Sequence, residues 1–328
     1  MAGQSTGTRR GAAGGARPAR GRILEAASAR ARPGASRRAR EALLAYAYLA
    51  PALILLAVFT LGPFVYVFYA SVLHAPGAAT QSFVGADNYR YLLDPAQQSG
   101  FLDALKTTFY YVACVVPAGV ALSLLCALLL RHRVKGWATF RLLFFLPFVT
   151  PALPTSIIWL WIFNPQFGLL NHLLGLVRIS PVGWADDPTW AMPSVIIYSL
   201  WQYAGFNTVV LLAGLTMIPR ELEDAARVDG ASSLRVLRHV TLPLLTPTIF
   251  FVLVVAVIES LKVFTPIYAL TNGGPGGATT TVGFFLYQEA FSYFHLDVAS
   301  AVAVILFFVT LVFTVLQSQM SRRWVFYR

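Results

Sequence analysis

The chain has 328 residues, of which 57% are hydrophobic and 12% charged, with a mean hydropathy of +0.64. A soluble globule carries about 25% charged residues, so the composition excludes a soluble domain and indicates a polytopic membrane protein. The net charge of +11 is explained below by membrane topology, so no nucleic-acid partner is implied.

In chain order, residues 1–40 are rich in Ala, Gly and Arg and hold too few large apolar residues to build a core. They are expected to form a disordered basic cytoplasmic tail drawn to anionic lipid headgroups. The apolar span that follows is too long, and its basic flank too extended, for a cleavable signal. The transmembrane domain is expected at 41–328, with apolar spans at about 45–73, 107–130, 138–163, 190–217, 247–270 and 298–317. Each reaches the ~20 residues that a helix needs to cross the hydrocarbon core. Span 138–163 contains Pro147, Pro151 and Pro154, and a kinked helix is expected there, because neighbouring helices can satisfy the freed carbonyls.

The basic residues orient these spans. Ten arginines precede the first span, and Arg131, Arg133, Lys135 and Arg141 follow the second. Arg220, Arg227, Arg235 and Arg238 lie in the loop at 218–246, and Arg322, Arg323 and Arg328 at the C-terminus, which together make 21 of the 25 Lys and Arg. The positive-inside rule therefore puts both termini and the 218–246 loop in the cytoplasm, with the chain in the cytoplasmic membrane. Cys114 and Cys126 share one predicted helix, twelve residues and so ~18 Å apart, too far to bridge. The five histidines show no metal-ligand spacing. No nucleotide-binding or nucleophile motif is present, so no catalytic or metal site is expected in this chain.

The 218–246 loop carries the most specific signal. Pro219 suits a first helical turn, and Glu221, Glu223 and Asp224 follow near the positive end of the helix dipole. Gly230 can adopt the left-handed conformation that ends such a helix. Ser232 or Ser233 can cap a second helix, which runs to His239 and is stopped by Pro243. An acidic residue and two alanines (Asp224, Ala225, Ala226), then Gly230, then Val240, Leu242 and Pro243 form a spacing that resembles the EAA loop of ABC-transporter permeases. Further segments are similar to the carbohydrate-uptake branch, which includes maltose, trehalose and glycerol-3-phosphate importers. These are Leu49-Ala50-Pro51-Ala52, Gly62-Pro63, Phe83 to Tyr89, Phe163-Asn164-Pro165 and Leu270 to Pro275.

That resemblance, covering roughly 45–328, implies an all-α type I ABC importer permease fold with six transmembrane helices and a cytoplasmic EAA-like coupling loop. It implies that Asp224, Ala225, Ala226 and Gly230 form the helices that sit in a cleft of an ATPase, with Leu242 and Pro243 completing the motif. The usual acidic residue is Glu; here Asp224 is one methylene shorter, and Glu223 is an alternative carboxylate. The implied partners are a second, distinct permease subunit, a dimer of ATP-binding subunits that holds the ATP and magnesium, and an extracytoplasmic solute-binding protein. This chain itself is expected to hold no cofactor. The implied cargo is a sugar, moved by alternating access.

Polar residues at membrane depth are candidates for the substrate path, because each costs free energy unless it meets a cavity or a partner. Glu259 and Lys262 lie near the middle of the fifth span, three residues apart, where they can form an ion pair. Three readings are open: a structural pair, a cavity-lining pair that bonds hydroxyls, or a lysine that attracts an anion. In the fourth span Gln202, Tyr203 and Asn207, with Trp201 and Phe206 among them, suit sugar binding through amides and aromatic faces or equally packing between helices. Gly273, Gly274, Gly276 and Gly277 predict a pliable outside loop. Two alternatives share these features. One is the same architecture carrying glycerol-3-phosphate, a polyol or an osmolyte. The other is a gradient-driven carrier, which calls for several intramembrane carboxylates and an internal repeat; the spans hold one such carboxylate, Glu259, and no obvious repeat.

Overall fold

The computed structural model describes residues 35–74, 82–131 and 137–325. Of the expected tail, residues 1–34 lie outside that range, as do Arg133 and Lys135 of the basic loop. Residues 35–40 depart from the expectation: they are helical and open helix α1, residues 35–70. The stretch from Ala35 to Leu44 is built of Ala, Arg, Glu, Leu and one Ser, mostly strong helix formers, so the helix extends past the apolar boundary. The chain divides into two compact units, Met1–Phe64 and Val65–Arg328. In the first, no residue from 40 to 64 is buried.

In the second unit, strands β1 (Leu73–His74) and β2 (Ser82–Phe83) pair antiparallel. Helix α2 (Asp87–Leu93) follows, then α3 (Phe101–Leu130), α4 (Trp137–Val149), α5 (Ala152–Ile162), α6 (Leu169–Leu176) and α7 (Pro188–Thr216). After these come α8 (Arg220–Val228), α9 (Ser233–Leu261), α10 (Thr265–Leu270), α11 (residues 282–292) and α12 (Leu296–Trp324). Among the described residues, five helices are long and apolar enough to cross a membrane: Arg40–Ala70, Phe101–Leu130, Pro188–Thr216, Ser233–Leu261 and Leu296–Arg322.

The third expected span, 138–163, is two helices. Segments Leu142–Val149 and Ala152–Ile162 meet at 106°, which is a break where a kink was expected. Thr150 precedes Pro151, whose ring disfavours the helical conformation in the residue before it, and Pro151 stands extended at the head of α5. The fifth span also differs, running from 233 to 261 where 247–270 was expected. Pro266 lacks an N–H, and its ring would clash with the Lys262 carbonyl, so the helix ends there and restarts at Thr265. Pro243, expected as a stop, lies inside α9 because a π turn over Leu237–Thr241 directly precedes it. That wider turn, closed by the Leu242 N–H on the Leu237 carbonyl, draws the backbone away from the proline ring. The same solution recurs in α1, where a π turn over Ala57–Leu61 precedes Gly62-Pro63.

Helices α3 and α7 pack most extensively, and the contact is built as membrane helices require, from small residues and hydroxyls. Ser123 donates to the Ala204 carbonyl at 3.2 Å, and Tyr111 donates to Ser199 at 2.8 Å. A Cβ on Gly205 would collide with the Phe144 carbonyl oxygen, so α4 meets α7 backbone to backbone. Asn171, 7% exposed, fixes the loop between α6 and α7. It donates to the carbonyls of Pro165 and Val182 and accepts from the Val182 N–H and the Trp184 indole.

The glycine-rich segment between α10 and α11 is held tightly, contrary to the pliable loop expected. Asn272, Gly273, Gly276 and Gly277 take positive φ, but threonine hydroxyls tie the turns together. Thr279 bonds Thr271 at 2.7 Å and the Gly274 carbonyl at 2.8 Å, and Thr281 donates to Val263 at 3.0 Å. The sequence signal was the run Thr279-Thr280-Thr281, whose side chains replace missing backbone bonds.

Candidate functional site

Two places gather the residues singled out from sequence. The first is the 218–246 loop. Helix α8 ends in a Schellman motif: the Gly230 N–H bonds the Arg227 carbonyl and the Ala231 N–H bonds the Ala226 carbonyl, both at 3.0 Å. Gly230 stands at φ +79, as its position after the helix demands. Ser232 occupies the N-cap position of α9 without a side-chain cap bond.

The neighbouring carboxylates Glu223 and Asp224 divide sharply. The Glu223 side chain is 6% exposed and takes both guanidinium nitrogens of Arg131, at 2.7 and 2.9 Å. Its Oε1 also accepts the Thr241 hydroxyl at 2.7 Å. Burial pushes this carboxyl up, but the bonds from Arg131 and Thr241 and the charges of Arg131 and Arg227 outweigh it and hold it below the usual carboxylate range. Asp224, 65% exposed, pairs with Arg227 on its own helix. Ala225 is exposed, while Ala226, Leu242 and Pro243 are half-buried. Met217, Val228 and Leu234 also lie open, a concentration of bare apolar side chains on an otherwise polar segment.

The second place is a cavity of ≈ 280 Å³ between α3, α4, α7 and α9. Its polar lining comes from Tyr111, Ser199, Tyr203, Asn207, Glu259 and Ser260, and Phe148 and Phe206 form one wall. Those two rings stack at 4.8 Å. Three sequence candidates therefore meet here, Tyr203, Asn207 and Glu259. Gln202 does not line the cavity: its amide donates to the Thr150 carbonyl at 3.2 Å, and its oxygen accepts from Thr155 at 3.4 Å. Lys262 does not line it either. It caps α9 and turns onto Glu259 at 2.9 Å, with both side chains about half exposed. The pair thus sits at the C-terminal end of α9, where mid-span was expected.

Arg131, Thr241, Tyr111, Ser260 and Phe148 were not anticipated. Arg131 read only as one basic loop residue among several, and a lone Tyr or Ser on a long apolar helix carries no periodic signal. Among the described residues, no group of three or more His, Cys, Asp or Glu is placed to hold a metal ion.

Residues 119–325 match the family of binding-protein-dependent transport system inner membrane components. The chain is 34% identical to the trehalose/maltose transport system permease protein of Thermococcus litoralis, over 86% of this chain and 95% of that one. It is 31% identical to the sn-glycerol-3-phosphate transport system permease protein of Pectobacterium atrosepticum, over 88% and 97%. In structure it is similar to a bacterial alginate ABC transporter, solved in complex with an alginate pentasaccharide-bound periplasmic protein. There the TM-score is 0.76 and the identity 26%, over 87% of this chain and 96% of that chain.

Proposed function

This chain belongs to the family of inner membrane components of binding-protein-dependent transport systems, and we propose that it is the permease subunit of an ATP-driven sugar importer. The observation that carries the sugar assignment is the cavity lining. Tyr203, Ser260, Asn207 and Glu259 line one space beside stacked Phe148 and Phe206. Such a set donates to and accepts from a polyhydroxy ligand and offers an aromatic face to its C–H surface. Glu259 and Lys262 neutralise each other as an ion pair at 2.9 Å, and among the described residues the lining holds no Lys or Arg to bind an anionic group. A neutral sugar is therefore favoured over a phosphate ester.

The partner ATPase docks on the exposed face of the 218–246 loop, where Asp224, Ala225, Val228 and Leu234 are open. That assignment puts the loop and both termini in the cytoplasm and the binding protein on the other side. A second permease subunit completes the pathway. Nucleotide and loaded binding protein drive alternating access, which needs about 5.5 kcal/mol of differential binding to move the equilibrium from 1:99 to 99:1.

The test is purification of the chain from solubilised membranes with its co-purifying proteins, followed by reconstitution into vesicles. An ATPase and a second permease should accompany it, and the assembly should accumulate a sugar only with ATP and the binding protein. The screen should include sn-glycerol-3-phosphate and polyols; uptake of one of these in place of any sugar would overturn the cargo assignment. Solute movement by the chain alone without ATP would overturn the importer reading.

A further inference from the structure

We propose that Glu223 is a positioning residue that locks the coupling helix to two walls of the cavity, α3 and α9, and that it does not touch the ATPase. This rests on the importer reading above. The carboxylate joins three elements. It belongs to α8, it binds Arg131 at the C-terminal cap of α3, and it accepts from Thr241 in the π turn of α9. Both oxygens are engaged by Arg131 and Thr241, and the side chain is almost fully covered, so its bonds are spent within the chain. The next carboxylate, Asp224, is the one that faces outward.

The two helices gripped by Glu223 are two of the four that wall the cavity. From Arg131, α3 runs back past Gly119 and Tyr111, and from Thr241, α9 runs on to Glu259 and Ser260. At 1.5 Å per residue, the grip lies ~18 Å from Gly119 and ~27 Å from Glu259. A displacement of α8 is therefore delivered to both walls through one carboxylate. Arg131 supplies a rigid two-toothed fork, which resists rotation as well as separation. Thr241 stands where the π turn interrupts α9, so the hydroxyl fixes the α9 turn least supported by its own ladder. Arg227 approaches the same carboxylate at 3.9 Å from within α8 and adds charge without linking another element.

The experiment compares four variants in the purified assembly, in proteoliposomes with the binding protein. Glu223→Gln should retain the co-purifying ATPase but lose sugar uptake and binding-protein-stimulated ATP hydrolysis by roughly tenfold, the usual scale of a coupling free energy. Asp224→Asn should instead weaken ATPase retention. Thr241→Val should show part of the Glu223→Gln defect, and Thr241→Ser, which keeps the hydroxyl, should restore it. Loss of the ATPase in Glu223→Gln, full stimulation in that variant, or a Thr241→Ser protein no better than Thr241→Val would each overturn the proposal. Hydrogen exchange on the isolated full chain separates this from the importer reading. Exchange over 220–228 should rise in Glu223→Gln, and unchanged exchange sinks the proposal with or without a partner. A wild-type chain that retains no ATPase would instead count against the importer reading, leaving the exchange result to decide the link.

Discussion

Substitution at Gly230 separates backbone strain from steric access. At φ +79 an L-residue pays for the left-handed conformation, about 1–2 kcal/mol. A Cβ built there meets nothing within 4 Å, so no packing cost adds to the strain. Gly230→Ala should therefore loosen the end of α8 by about 1–2 kcal/mol, roughly 5- to 30-fold in its local opening equilibrium, and leave the membrane bundle intact. Gly230→Asn should cost less, because Asn visits this conformation more readily, while still projecting a side chain. Gly230→Leu combines strain with bulk in space that the proposed ATPase fills. Membrane level, ATPase retention and uptake per ATP hydrolysed should be measured together for the three. The expected order of uptake is wild type, Ala, Asn, Leu, at constant membrane level. Unchanged uptake in both the Asn and Leu variants would refute docking at this turn, and a fall in membrane level matching the loss of uptake would refute the claim that the bundle is indifferent.

Gly205→Ala should cost about 1–3 kcal/mol by forcing α4 from α7, since the added carbon meets fixed backbone at Phe144; a lower unfolding temperature in detergent would show it. Glu259→Ala should raise the half-saturation concentration for sugar about tenfold or more, the loss of a charged hydrogen bond. Lys262→Gln, altering a half-exposed side chain outside the lining, should stay within about threefold, as initial-rate uptake would reveal. The Glu223 carboxyl lies below its ordinary range, so its contribution is present above the unfolded-state value and is lost as pH falls through the lower folded value. Thermal stability of the wild type should thus fall more on acidification below about pH 4.5 than that of Glu223→Gln; parallel curves would contradict this.

That the chain holds several long apolar helices was legible because hydropathy reports them directly, though the third span proved broken and the fifth displaced; Gly230 was legible because a helix end needs one residue with positive φ. Proline was read less well. Pro266 and Pro151 stand at helix ends, Pro117 and Pro247 lie within helices, and Pro243 lies within one behind a π turn. Sequence does not display that turn. The two carboxylates at 223 and 224 looked interchangeable, and only the approach of α3 and α9 separates the one held inside from the one left open. Likewise Gln202 and Asn207 are both amides on α7, five residues apart. One meets a broken helix and the other a cavity.

The break between α4 and α5 is satisfied from outside itself. The Thr150 carbonyl is met by the Gln202 amide at 3.2 Å, whereas the Ala152 carbonyl takes the Tyr198 hydroxyl in addition to those of Thr155 and Ser156 on its own helix. Gln202 belongs to α7, which lies after the break in the chain. A nascent segment 137–162 released into lipid before α7 exists would expose the Thr150 oxygen to hydrocarbon, where an unmet group costs several kcal/mol. The 106° corner is thus a late event in biogenesis: the segment must wait for α7 to arrive before it can take its final course.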